Sequence, residues 1–236
     1  MASQTSFFST NTINIIKSDT LENTYIFKFN LSDDEGNKNN NELLIQSIIS
    51  LGIPLIKSED ESDEDTYTYT LTSKLLTLDE FHTNRKKLLS YQQTLAFTIM
   101  IGNQIEELKT HNLCFPFINL EKIIVIDEQY FINLDDELLN INENDTILIK
   151  KPYKKISILG HELYNIKKLP SYIPYNNWMS SLGLCAVYLL TNNLKIENKT
   201  SKEYSKIIEN IQSTKLYFMI LRLLERKNTK RLFLYV

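Results

Sequence analysis

The stretch LEKIIVIDEQYFINLDDE, Leu120 to Glu137, constrains this chain more than any other. An apolar run rich in β-branched residues meets a polar break at Asp127-Glu128-Gln129, and a second apolar run ends in adjacent carboxylates. Two such runs joined by a short polar turn predict a β-hairpin that delivers Asp135 and Asp136 to its end. Whatever the fold, it must accommodate that hairpin and the carboxylates beyond it.

The rest of the chain supplies enough apolar material to do so. With 236 residues, 42% of them hydrophobic, it can bury one substantial core or two lobes sharing an interface. A net charge of −3 implies no general attraction to nucleic acid or anionic membrane, and the lysines read as spread over solvated faces. The two cysteines, Cys114 and Cys185, lie inside apolar segments, which predicts buried thiols and a reducing compartment rather than a disulfide. MASQTSFFSTNT has neither the basic nor the apolar region of a secretion signal, and the longest apolar run, Leu182 to Leu190, is too short to span a bilayer. The expected location is cytoplasmic. Three N-x-[ST] triplets are what so asparagine-rich a chain produces by chance. Abundant Ile, Asn and Lys is what an AT-rich genome encodes, such as that of a large DNA virus; the host cytoplasm or a virus factory would then be the setting.

Periodicity divides the chain near residue 76. Before it, Asn14–Lys17, Tyr25–Phe29 and the strictly alternating TYTYTLTSK predict strands. Asp33 to Asn41 predicts a loop, Glu42 to Leu51 a helix stopped by Gly52-Ile53-Pro54, and the acidic run Ser58 to Asp65 a loop or hairpin tip. Beyond it the spacing is helical: a short helix within Leu78–Ser90, a long one from Tyr91 to His111 with Leu95, Thr98, Ile99, Gly102, Ile105 and Leu108 along one face, then the hairpin. An irregular segment reaches Pro174, and helices follow at Trp178–Leu190, Ser201–Ile211 and Thr214–Glu225. The expected class is α+β, with a β-rich lobe over 1–76 and a mainly helical lobe over 77–236.

This order resembles that of protein kinases, in which a metal-binding Asp follows such a hairpin. Placing Asp135 at the DFG Asp puts Lys122 at the metal-binding Asn of H-R-D-L-x-x-x-N, Phe117 at the catalytic Asp and Phe115 at the His. The catalytic Asp of that family accepts the proton of the attacking hydroxyl and the Asn helps hold Mg²⁺. A phenylalanine does neither, and Lys122 puts a positive charge where a cation would bind. The DFG triplet becomes Asp135-Asp136-Glu137: its first carboxylate is able to bind metal or to sit in a solvated turn. A glycine-rich phosphate loop is absent, Gly36 being the sole glycine before Gly52. Lys28 in YIFKFN resembles the strand Lys of V-A-I-K, with Glu42 as a partner, although a Lys in an alternating strand is more often its solvent-facing residue.

Downstream, Gly160-His161-Glu162-Leu163 resembles the A-P-E motif with its Glu kept. Ser180-Ser181-Leu182-Gly183 resembles the W-S-x-G stretch opening helix F, with Trp178 in the slot usually held by Asp. Leu223-Leu224-Glu225 followed by Arg231 resembles the late segment whose Arg pairs with the A-P-E Glu, so the resemblance implies a largely buried Glu162–Arg231 ion pair. It covers Gln104 to Arg231; the first third matches by element order alone.

The implied protein is a degenerate kinase-like scaffold, a pseudokinase, that binds protein partners without nucleic acid or membrane and with no cofactor expected. Its docking face would be the helical lobe, the segment Leu138–His161 or the aromatic stretch Tyr164–Trp178. One alternative is an atypical serine/threonine kinase that uses ATP and Mg²⁺ through Asp135, Asp136 and Lys28. Another is an unrelated α+β structural or virion protein. His82, His111 and His161 lack metal-ligand spacing.

Overall fold

A computed structural model describes residues 6–9, 13–30, 46, 50, 56–57, 66–72, 74–85, 88–132, 138–153, 158–193, 196 and 199–233. The chain is mixed α+β with small antiparallel sheets and divides into two compact units, Met1–Leu76 with Ile124–Glu137, and Thr77–Ile123 with Leu138–Val236.

In the first unit, β1 (Ser6–Ser9), β2 (Ile13–Lys17), β3 (Tyr25–Asn30), β4 (Ile56–Lys57) and β5 (Thr66–Leu71) form an antiparallel sheet in the order β1-β2-β3-β5-β4. Apolar alternation sets its register. Ile15 lies opposite Phe27, so the two share a face, and both are fully buried. A slip of one residue would turn them to water, which pins the pairing. Tyr25, on the same face as Phe27, is buried and donates its hydroxyl to the Leu75 carbonyl at 3.4 Å.

A second sheet orders β6 (Leu75–Thr77), β8 (Ile123–Ile126) and β9 (Gln129–Ile132) as β6-β8-β9. All four residues of the central β8 are buried, which explains why that run shows no polar alternation. Asp127 and Glu128 both have positive φ, 48° and 66°, the backbone of a type I′ hairpin turn. Gln46 and Ser50 are helical; the remainder of the helix expected at Glu42–Leu51, the loop Asp33–Asn41 and the acidic run Ser58–Asp65 lie outside the described residues.

The second unit holds α1 (Leu78–Arg85), α2 (Tyr91–Thr110), α3 (His161–Tyr164), α4 (Asn177–Thr191), α5 (Ser201–Ile207) and α6 (Lys215–Leu223). Short strands β7 (Leu113–Cys114) and β10 (Leu139–Asn140) pair with each other, as do β11 (Thr146–Ile149) and β12 (Ser171–Pro174). The segment before Pro174, read as irregular, therefore carries three strands and a turn of helix. Helix α2 starts at a capping box, Ser90 Oγ accepting from Gln93 N while Ser90 N donates to the Gln93 side chain. Its buried stripe centres on Phe97, Ile101, Ile105 and Leu108; Leu95 and Ile99, expected on it, are half-buried at its edge. The helix expected from Ser201 to Ile211 breaks after Ile207 into a 3-10 turn at Glu209–Ile211.

Helix α4 is the centre of this unit. Thirteen of its residues are buried, so it is surrounded rather than laid on a surface. Gly183 lets α6 approach: a Cβ there would lie 2.9 Å from Leu224 Cγ and 3.0 Å from Leu223 Cβ. Asn192, in the left-handed region at φ 53°, closes the helix. No helix among the described residues is long and apolar enough to cross a membrane.

Candidate functional site

A helix buried on all sides must bond every polar side chain it carries, because an unpaired polar group in such a place costs about 1–3 kcal/mol. The first turn and a half of α4 carries three, Asn177, Ser180 and Ser181, at spacing i, i+3, i+4 on one side of the helix. Each is bonded outward to another stretch of chain.

Asn177 Nδ2 donates to the Pro116 carbonyl at 2.6 Å, and its Oδ1 accepts from the amides of Glu162 and Leu163 at 3.2 and 3.3 Å. Ser181 Oγ accepts from Ile118 N at 2.8 Å and donates to the Ile158 carbonyl at 2.5 Å. Ser180 Oγ accepts from His161 N at 3.0 Å and donates to the Asn177 carbonyl at 2.9 Å. One side of α4 thus holds the segment Pro116–Ile118 and the segment Ile158–Leu163 together, and those two also meet in a β-bridge between Ile118 and Ile158. Gly160 is required at this junction, since a Cβ would lie 2.5 Å from both Asn177 O and Ser180 Oγ.

The side chains on the clamped segments are apolar. Phe115 and Phe117 are buried. Phe117 joins a cluster with Cys114, Ile147, Ile149, Leu163 and Ile173, and its ring meets Tyr153 edge-on with centroids 4.6 Å apart. No proton acceptor is present on either side chain. Lys122 ends a 3-10 turn over Leu120–Lys122 that Asn119 caps, its Oδ1 accepting from Glu121 N.

The structure brings Glu162 and Arg231 together, Arg231 Nη1 donating to Glu162 Oε2 at 2.8 Å. Arg231 is the buried partner, its side chain 1% exposed, while that of Glu162 is 17% exposed. The guanidinium also donates through Nε to the Glu225 carbonyl at 2.7 Å, with a longer 3.5 Å bond from Nη2 to the Arg226 carbonyl. The pair closes the C-terminal segment over the start of α3.

Trp178 does not take the polar role assigned to its slot. It is buried against Phe233, centroids 5.9 Å apart, and its neighbour Asn177 makes the bonds instead. The spacing of Asn177, Ser180 and Ser181 within an apolar helix was the signal that could have found this clamp. Lys28 is half-buried in β3, opposite Asn14 and Thr68. Its candidate partner Glu42 lies outside the described residues, as do Asp135, Asp136 and Glu137, so neither the Lys28 pairing nor the carboxylate site is assembled from them.

Among the described residues, the thiols and His82 offer little nucleophilic or acid–base chemistry. Burial pushes the Cys114 thiol up to about 12 and that of Cys185 higher still, which keeps both protonated and unreactive. Burial lowers the pKa of His82, with Asp79 opposing. Among the described residues no three His, Cys, Asp or Glu side chains gather as metal ligands. No protein-family model and no curated protein matches the chain.

Proposed function

We propose that this chain is a degenerate kinase-like scaffold that acts by holding protein partners, not by transferring phosphate. The observation that carries it is the clamp on α4. The helix likened to helix F grips, through Asn177, Ser180 and Ser181, both the segment likened to the catalytic loop and the one likened to A-P-E. Glu162 and Arg231 add the ion pair that the same likeness implies. The frame is therefore kept by bonds that use backbone groups and a buried polar stripe, while Phe117 puts a packed ring where the family needs a carboxylate. A side chain committed to a core costs about 3–5 kcal/mol to remove, so Phe117 serves stability at the place where catalysis would require a solvated base.

The test is a thermal-shift titration with ATP and Mg²⁺ or Mn²⁺. A scaffold with no nucleotide site keeps its Tm at every concentration. A ligand at about a hundred times its Kd would stabilise the chain by roughly 2.7 kcal/mol. Such a shift, with transfer to a generic protein substrate, would favour the atypical kinase built on Lys28 and Asp135.

A further inference from the structure

We infer that the second unit carries a docking cavity for an acidic peptide segment with one large apolar side chain, which names the partner chemistry of the proposed scaffold and rests on that reading. The cavity, about 320 Å³, opens beside the β11–β12 hairpin and has a buried apolar floor formed by Ile149 and Leu163, with Tyr153 and Ile166 half-buried around it. Lys151, Lys167 and Lys168 line its mouth, and among the described residues no carboxylate lines it. Ile149 is paired with Ser171, so the chain leaves both strands at the same end, which brings Lys151 and Leu169 to one opening.

Charge selects the occupant. From Lys150 to Tyr175 the sequence carries six lysines against one acidic residue, Glu162, which is bonded to Arg231. The chain as a whole has a net charge of −3, so this stretch departs sharply from the even spread of lysines expected from composition. Leu169, an exposed apolar side chain, stands beside the opening and extends the contact surface beyond the cavity. A concave aliphatic floor is filled by a Phe- or Leu-sized side chain, which a bilayer surface does not present. Carboxylates flanking the anchor would meet the lysines. Phe117 supports the floor from below by packing against Tyr153 and Leu163, so the residue that takes the place of a catalytic acid also shapes the cavity.

The test is fluorescence anisotropy with a labelled dodecapeptide of alternating Glu and Asp around a central Phe-Leu pair, titrated with the full chain. Expected is saturable binding that weakens with salt. The triple variant Lys151→Glu, Lys167→Glu, Lys168→Glu should weaken it at least about tenfold, and Leu169→Ser about threefold. These four side chains are exposed, so both variants should keep the parental Tm and circular dichroism. A peptide with Ser-Ser in place of Phe-Leu should bind at least about tenfold more weakly. The inference is overturned by unchanged binding to the triple variant, by equal binding of the Ser-Ser peptide, or by no binding with the chain at about 1 mM. Tighter lysine-dependent binding to phosphatidylserine vesicles or oligo-dT than to the peptide would also overturn it. Phosphate transfer by the same preparation would refute the scaffold reading and leave the peptide result standing.

Discussion

Replacing Asn177 by alanine isolates the clamp on α4. The side chain is fully buried and makes three hydrogen bonds to main-chain groups 14 to 61 residues away in sequence. Truncation strands the amides of Glu162 and Leu163 and the carbonyl of Pro116. At about 1 kcal/mol for each unmet group, the loss is about 3 kcal/mol. That is a large share of the ~5–15 kcal/mol typical of a folded domain. For a chain of this size it corresponds to a fall in Tm of about 6–12 °C. Trp178, the single tryptophan, is buried in the adjoining position and reports the melt by fluorescence. Asn177→Leu keeps the branch at Cγ and leaves no void while removing the bonds, and should lose at least as much as Asn177→Ala. Hydrogen exchange should quicken at Glu162 and Leu163 in both. A loss below about 0.5 kcal/mol in either variant, the range of an ordinary surface change, would refute the clamp.

The Glu162–Arg231 pair should show unequal costs. Glu162→Ala leaves a buried guanidinium without its counter-charge and should cost about 3–5 kcal/mol, whereas Arg231→Met leaves a carboxylate that water can reach and should cost less; a double-mutant cycle by urea denaturation measures both. His82, whose pKa is lowered by burial, takes up a proton more readily when unfolded. Its neutral form therefore contributes stability above about pH 6.5 that is lost as the pH falls through that value toward the lower folded one. His82→Phe, which keeps a ring beside Tyr188, should flatten Tm between pH 7.5 and 5.5 relative to the parent, by roughly the histidine's share alone. Both thiols should resist a maleimide in the native chain and react in denaturant. Labelling of either at neutral pH without unfolding would contradict their burial.

The elements with the strongest periodicity were legible in the sequence. The helices at Tyr91–Thr110 and Asn177–Thr191 were set by long apolar patterns and are found within a residue of their expected ends, and the hairpin turns at Asp127–Glu128 inside the expected break. The four strands β7, β10, β11 and β12 were not, because two to four residues are too few for alternation to register and their pairing depends on distant partners. The clamp was half legible. Gly183 and the two serines stood out, yet the register that placed Trp178 in a polar slot hid Asn177, whose role depends on which face of α4 the clamped segments reach. The Glu162–Arg231 contact was legible only through the resemblance, since nothing local in either segment links residues 69 positions apart. The cavity beside β11–β12 was invisible because it arises from the pairing of strands the sequence did not reveal.

The most direct measurement of the central proposal is γ-phosphate transfer from labelled ATP to a generic protein substrate and to the chain itself, with Mg²⁺ and with Mn²⁺. Active protein kinases turn over at about 1–100 per second. A scaffold with Phe117 in its core should give no transfer above the enzyme-free rate in either metal. Transfer that is saturable in ATP and abolished by Asp135→Ala would contradict it.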